Sequence, residues 1–387
     1  MSVTIREVKD RVDLKRFISF PEKLYKDSPY WVNSLWSDEY KTLIKSKNPA
    51  FEYCEAWYFL AEKKGVVVGR IAAIINHNAN RDWNVKNMRF GWFDFIDDDE
   101  VSFELLNRVE ELAVEMGMTA VNGPFGFTDM DREGMLTEGF ENMGAFTTLY
   151  NYSYYPDHME RLGYIKDAEW VQREFEVPDD VPDKLKQYSR IIKQKYRVSV
   201  VENRTKKELR VYAIDLFNAL NKAFVPLYGF TPLSQRQIEW YVDQFLPLIN
   251  TDLVCLVVNE EDRVVAFAVT MPSLSQAMRE TKGKMFPFGF LKLLKALKKF
   301  NLVDLYMIGI IPEYQNKGLN AVIFDHLNSN FIKLGVKRVI ANPQLETNKA
   351  VQSIFDYYPG KTYSKRRCYI KDVSERELPI ESDLQEQ

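Results

Sequence analysis

The stretch "GIIPEYQNKGLNAVIF", Gly309–Phe324, decides how this chain is read. Its apolar start predicts the end of a buried strand, and Pro312 marks a turn. A helix then opens through Gln315, Asn316, Lys317, Gly318, Leu319, Asn320 and Ala321. Such a turn gathers consecutive backbone N–H groups at a helix N-terminus, which suits a pyrophosphate. Gly318 keeps a Cβ out of the approach, and Lys317 adds positive charge. A plain glycine-containing helix start has the same local pattern, and these residues alone leave both readings open.

Working outward, "LVCLVVNEEDRVVAFAVTM" (253–271) predicts a hairpin with a charged turn before this segment. A helix over 318–334, a strand "KRVIANP", a helix from Asn348 and a strand "RCYIKDV" are expected after it. The first half has the same order. Apolar runs 56–62 and 66–75 flank "EKKG", and "MRFGWFDFID" (88–97) is a third strand. An amphipathic helix over 98–118 follows, with Gly117 as its stop, and then the strand "TAVNGPFGF". Helical patterns are expected within 12–47, with breaks near Pro21 and "DSPYW". The repeated order points to an internal duplication. It divides the chain into domains 1–177 and 185–373, a Pro-rich charged linker 178–184 and a polar tail 374–387.

"PEYQNKGLNA" (312–321) resembles motif A of the GNAT acyltransferases, a strand followed by Q/R-x-x-G-x-G/A. Gln315, Gly318 and Asn320 take the motif positions, with Asn320 departing from the usual Gly or Ala. "ETNKAVQSIFDYY" (346–358) resembles motif B, in which an Asn, here Asn348, opens a helix bearing an aromatic residue. The first half resembles the same fold without Q/R-x-x-G. The resemblance implies an α/β (α+β) protein of two tandem GNAT-like domains, each a mixed, mostly antiparallel sheet flanked by helices. The first domain would be degenerate and lack a CoA loop. Segments such as "PFGFTDMDREGMLTEGF", "YNYSYYPDHMERLGY" and "FPFGFLKLL" also look like those of bacterial tandem-GNAT proteins, to which the bacterial ceramide synthases are related.

The resemblance implies an acyl-CoA-dependent N-acyltransferase. Acyl-CoA or acetyl-CoA would pair along the strand around Ile308 and Ile310, with its pyrophosphate on the amides of Asn316 to Ala321. An amine acceptor would attack the thioester directly, a carboxylate or water chain taking its proton. A tyrosine would protonate the leaving thiolate, Tyr357 being the first choice and Tyr363 the second. A long-chain lipid amine is the acceptor suggested by the ceramide-synthase likeness. The alternatives are a non-catalytic acyl-CoA or lipid-binding module and an acetyltransferase for a small polar amine. A Fem-like transfer from aminoacyl-tRNA needs a basic cleft and no CoA loop, against which the loop and the net charge argue.

Composition bounds these readings. A chain of 387 residues with 46% hydrophobic and 28% charged residues suggests two globular domains. A net charge of −3 gives no support to nucleic-acid binding. Cys54, Cys255 and Cys368 lack metal-ligand spacing, so no metal is expected, and their low odd number fits a reducing compartment. Charges near the N-terminus oppose a signal peptide, and no window of 18 apolar residues predicts a membrane span. A cytoplasmic protein is expected, with peripheral contact at the inner membrane face through 286–301, whose residues Phe290, Leu293, Leu294 and Leu297 form one helical face. Oligomeric state is left open.

Elsewhere, "FTDMDREGMLTEGF" brings Asp129, Asp131, Glu133 and Glu138 into one loop. Asp129 and Glu133 could hold an acceptor ammonium and act as base; a solvated acidic turn is the alternative. The tyrosines of "YNYSYYP" look like packing residues of a strand. His77, His158 and His326 are isolated in sequence, and no Ser/His/Asp set is evident from spacing.

Overall fold

The computed structural model describes residues 2–202, 205–349, 351 and 358–377. Two compact units emerge, Met1–Glu169 with Arg366–Gln387, and Trp170–Lys365. The first contains β1 (Thr4–Glu7), α1 (Arg11–Leu24), α2 (Trp36–Leu43), β2 (Cys54–Lys63), β3 (Val66–Asn76) and α3 (His77–Asp82). β4 (Asn87–Phe95), α4 (Asp99–Glu115), β5 (Ala120–Gly123), β6 (Met135–Glu138) and α5 (Tyr154–Arg161) follow. β7 (Ile165–Glu176) leads out of this unit. The second contains α6 (Asp183–Tyr196), β8 (Ser199–Val200), α7 (Lys206–Phe224), α8 (Gln235–Phe245), β9 (Val254–Val258) and β10 (Val264–Pro272). After them come α9 (Ser275–Thr281), α10 (Gly289–Lys298), β11 (Leu302–Ile310), α11 (Leu319–Leu334), β12 (Arg338–Ala341), β13 (Gln344–Leu345) and β14 (Gly360–Asp372).

The strands of the two units repeat one plan. In the first unit β1 to β4 pair antiparallel in chain order, β5 joins β4 in parallel, and β14 pairs antiparallel with β5, Tyr369 opposite Gly123. In the second, β8 to β11 pair antiparallel, β12 joins β11 in parallel, and β7 pairs antiparallel with β12, Phe175 opposite Val339. Each unit thus sets a strand out of chain order beside its parallel pair. The units divide inside β7 and β14, not at the expected linker 178–184, and Arg366–Val373 belongs with the first unit. Strand pairing, which outweighs chain continuity, sets this division.

Local chemistry explains the elements. Lys64 and Gly65 both have positive φ, 53° and 75°, which closes the β2–β3 hairpin tightly. Asp98 caps α4 by accepting the N–H groups of Glu100 and Val101. The apolar face of α4 (Val101, Leu105, Val109, Leu112) lies on the sheet, so close that a Cβ on Gly69 would stand 2.7 Å from Leu105 Cδ1. The helix expected to break at Pro21 runs through it. Proline removes the N–H that would bond the Phe17 carbonyl, and Arg70 Nη1 donates to that carbonyl instead, at 2.9 Å. Arg70 is itself held by Asp94 at 2.7 Å, and Asp94 accepts from the Tyr25 hydroxyl at 2.8 Å. A tertiary contact thus repairs a local defect.

The returning C-terminal strand is fastened by one buried carboxylate. Glu110 of α4 accepts from Lys371 at 2.9 Å, from the Tyr164 hydroxyl at 3.0 Å and from Arg376. Removing the centre of such a cluster leaves cations and a phenol without their partner. Glu110→Ala should therefore lower stability by about 3 kcal/mol, whereas Lys371→Met, on a partly exposed arm, should cost under about 1 kcal/mol. Urea unfolding of both variants checks this, and equal losses would remove the clamp.

Candidate functional site

The segment 309–324 folds as the sequence suggests. β11 ends at Ile310, Pro312–Tyr314 make a single tight turn, and α11 opens at Leu319. Asn316 and Gly318 take left-handed φ values of 59° and 79°. Gly318 is the N-cap of α11, and no side chain caps the helix there. The first N–H groups of a helix lack intrahelical acceptors, so this turn offers uncapped donors. A Cβ on Gly318 would lie 3.1 Å from Ile192 Cδ1 of α6. Gln315 Nε2 donates to the Ile310 carbonyl at 3.0 Å, tying the loop to the strand end. The Lys317 ammonium rests on the rings of Tyr314 and Tyr196, 4.9 and 5.4 Å from their centroids. Leu319 is fully buried as the first anchor of α11, while Asn316 is exposed and Asn320 and Ala321 are half-buried.

The same crossover position in the first unit is chemically opposite. α4, which links the parallel strands β4 and β5, has its N-terminus filled by the Asp98 carboxylate and carries Asp99 and Glu100 in its first turn. An anion would meet negative charge there, with the Glu100 and Val101 donors already taken.

Beside the loop, β11 parts from β12. Their parallel ladder runs only from Leu302 to Leu305. Asn342 then caps it, its N–H on the Leu305 carbonyl at 2.8 Å and its Nδ2 on the Tyr306 carbonyl at 2.9 Å. On the other edge, Thr270 pairs with Leu305 and Val269 with Met307, so Tyr306 is an inserted residue, a β-bulge. Ile308 and Ile310 lie beyond the bulge, opposite Ala268 and Ala266. A Cβ on Gly309 would come within 2.6 Å of the Phe267 ring, which fixes this strand's distance from β10.

Two residues before the bulge is Asp304, a group the sequence reading passed over. It is 2% exposed, and neither carboxyl oxygen has a hydrogen-bond partner among the described residues. Burial pushes its pKa up to about 7, and nearby Ser273, outside bonding geometry, lowers it only in part. Because the bulge reverses the strand's facing, Asp304 and Met307 share one face of the sheet. An aspartate flanked by leucine and valine in a strand gives no sequence signal beyond its apolar setting.

Among the other sequence-derived residues, Asn348 accepts the Val351 N–H on its Oδ1 at 3.3 Å, as a residue opening a helix should. Tyr357 lies outside the described residues. Tyr363 is half-buried on β14, within the second unit.

The acidic loop belongs to the first unit. It is not a solvated turn: Asp129, Asp131 and Glu133 are recessed and half-buried, while Glu138 is exposed. Asp131 Oδ2 accepts the Thr128 N–H at 3.0 Å, and burial raises its pKa to about 6. Asp129 is likewise pushed to about 6 by burial, against the pull of Arg89 and a hydrogen bond with Glu133. Burial and then the Asp129 charge drive Glu133 well above the ordinary range, and its Oε2 has no partner among the described residues. Arg89, stacked over Phe125 at 5.0 Å, supplies the compensating charge.

Folding also brings together what spacing concealed. His158, 1% exposed, meets Ser102 Oγ at 2.7 Å and Asp97 Oδ1 at 2.9 Å. Ser102 is equally buried and donates to the Asp99 carbonyl at 3.1 Å, so its hydroxyl and the imidazole are packed inside the unit while Asp97 is exposed. The run "YNYSYYP" is no strand; Tyr154 and Tyr155 begin α5, and Tyr155 sits in the core. The three cysteines are buried thiols, and no metal-binding group occurs among the described residues.

No family model matches the chain. It is 26% identical over 381 residues to Protein YghO of Escherichia coli (strain K12), with 95% of each chain covered. It is also 26% identical over 383 residues to the bacterial ceramide synthase of Caulobacter vibrioides (strain NA1000 / CB15N), covering 95% of this chain and 97% of that one. Among solved structures, a tandem GNAT protein from the clavulanic acid biosynthesis pathway superposes with a TM-score of 0.52 at 10% identity, over 96% of this chain and 99% of that one. The GCN5-related glucosamine N-acetyltransferase region of a fungal β-N-acetylglucosaminidase gives 0.54 at 13% identity, over 96% of this chain and 38% of that one. With the repeated sheet plan, the bulged strand and the uncapped loop already in view, these likenesses establish that the chain has the tandem GNAT fold.

Proposed function

We propose that the chain is an acyl-CoA-dependent N-acyltransferase that moves an acyl group to a primary amine, with a long-chain lipid amine as acceptor. It would work in the cytoplasm, at the membrane surface when its acceptor is a lipid. The observation that carries the reading is the α11 N-terminus, where left-handed Asn316 and Gly318 present uncapped donors beside Lys317. The pyrophosphate of the donor fits this turn, and the strand edge beyond Leu305, around Ile308 and Ile310, suits its amide-bearing arm. The name of the Caulobacter vibrioides relative, a ceramide synthase, supports a lipid acceptor. The Asp98-capped helix of the first unit supports a single donor site, in the second unit.

In this reading the neutral amine attacks the thioester carbonyl. The tetrahedral intermediate collapses with cleavage of the C–S bond, and the amine's extra proton passes to a base. Asp304 is our choice of base: it lies on β11 close to the bulge, has free lone pairs and holds a pKa near neutrality. Tyr357 and Tyr363 remain the proposed acids for the thiolate. For Asp129 and Glu133 we propose cation binding in the first unit, since their shared negative charge grows as pH rises through about 6.

CoA release from acyl-CoAs of graded chain length, each paired with a long-chain amine, tests the central reading. Long donors should be preferred; silence with every pair would overturn it, and binding by calorimetry without turnover would make the chain a carrier. Gly318→Val should raise the donor KM roughly tenfold with little change in kcat, because a branched residue is strained at φ 79°.

Asp304→Asn makes a two-sided prediction. The folded state keeps this proton to about pH 7, whereas the unfolded chain loses it near 4. Stability therefore falls as pH rises through that window, by on the order of 4 kcal/mol at most. The variant should lose roughly 100-fold in kcat, yet show a flatter stability–pH profile and a higher Tm than the parent at pH 8. A variant that is less stable at pH 8 would refute the buried-acid description, and one that is fully active would refute the base.

A further inference from the structure

We infer that the segment Arg279–Lys299 of the second unit is a docking surface for an anionic lipid bilayer. It deepens the peripheral location proposed above, and its test reads no chemistry, so the two can fail separately. The sequence pattern placed Phe290, Leu293, Leu294 and Leu297 on one helical face. The structure buries only Leu293 of these, leaves Leu297 half-buried, and exposes Phe290 and Leu294. With Phe286 at 83% exposure, Phe288 at 71% and Leu291 at 51%, five large apolar side chains stand in solvent within nine residues. Single exposed hydrophobes are ordinary; a contiguous set signals a contact surface.

The display is built rather than frayed. A Cβ on Gly289 would fall 1.9 Å from the Lys284 carbonyl oxygen, so only glycine lets the chain fold back there. The Phe290 N–H donates to the Met285 carbonyl at 2.9 Å and the Leu291 N–H to the Phe288 carbonyl at 3.2 Å. This tight turn turns Phe286 and Phe288 outward, and the Phe286 and Phe290 rings lie 6.3 Å apart. Leu293 anchors α10 to the unit, and Lys292 ties it to Glu280 of α9 at 3.2 Å.

Charge selects the partner. Seven basic residues and one acidic residue lie between Arg279 and Lys299, in a chain of net charge −3. Lys282 and Lys284 precede the exposed aromatics; Lys295, Lys298 and Lys299 follow them, all exposed. Aromatic and aliphatic residues ringed by lysines match the depth profile of an anionic membrane surface, with rings at the acyl boundary and ammonium groups at the phosphates. At ten residues α10 cannot cross a bilayer, and no described helix is long and apolar enough to do so.

Flotation of the purified full chain with vesicles of phosphatidylcholine alone, or with phosphatidylglycerol added, tests this. Binding should require phosphatidylglycerol and weaken with salt. Replacing Lys295, Lys298 and Lys299 by Gln should reduce it roughly 100-fold, at about 1 kcal/mol per lysine. A Phe286→Ser, Phe288→Ser, Leu291→Ser variant should also release the vesicles while keeping the parental Tm, since these side chains are exposed. Absence of binding, or equal binding to both vesicle types, would overturn the inference. So would a concentration-dependent dimer that the triple serine variant dissolves, because the patch would then serve a second copy of the chain.

Discussion

A parallel pair of neighbouring strands cannot be closed by a hairpin; it needs a crossover, and in both units that crossover is a helix. α4 joins β4 to β5, and α11 joins β11 to β12. Each crossover sets a helix N-terminus at the carboxyl end of a sheet strand, with its first donors directed away from the helix body. The two units differ in what is done with those donors. At α4 the Asp98 carboxylate takes those of Glu100 and Val101; at α11 a left-handed glycine offers no side-chain cap, Ala321 N–H turning to the Gly318 carbonyl, and a lysine stands beside them. One topology therefore yields a carboxylate-capped terminus in one unit and a terminus without a side-chain cap in the other, the difference resting on a few side chains.

The same constraint shapes the neighbourhood of the loop. Once β12 has paired with β11 as far as Leu305, the bulge at Tyr306 and the Asn342 cap end the ladder and separate the strands. That separation exposes a strand edge next to the helix terminus. It also coincides with a buried sheet carboxylate, Asp304, neither of whose oxygens has a hydrogen-bond partner among the described residues. A buried acid with no counterion lowers stability, and its persistence next to a parted strand pair is the kind of local inconsistency that functional sites display. The insertion holding α9 and α10 joins β10 to β11 and thus belongs to the same unit.

The tandem plan has its own physical cost and remedy. β7 and β14 each pass from one unit to the other, so neither sheet is completed by its own contiguous segment. Glu110, gathering Lys371, Arg376 and Tyr164, fixes the returning strand through charge-assisted hydrogen bonds at a buried centre. In the same unit the Arg70–Asp94–Tyr25 network both satisfies a buried charge and supplies the donor that Pro21 removes from α1.

The sequence by itself determined whatever depends on near neighbours. The Lys64–Gly65 hairpin turn, the Ser234 capping box of α8, the stop at Gly117 and the left-handed loop at Gly318 are all written in a few adjacent residues. Those features, in order, sufficed for the fold and for the loop that opens α11. Tertiary structure alone decided what depends on distant partners: the exchange of β7 and β14, the continuity of α1 through Pro21, and the meeting of Ser102, His158 and Asp97. It also decided the side-chain environments. Asp304 reads as an ordinary polar residue until two neighbouring strands bury it, and the single helical face of Phe290, Leu293, Leu294 and Leu297 divides only in the fold, where Leu293 is buried and Phe290 and Leu294 are exposed. Burial is a property of the whole packed unit, set by strands and helices tens to hundreds of residues away, and no local pattern encodes it.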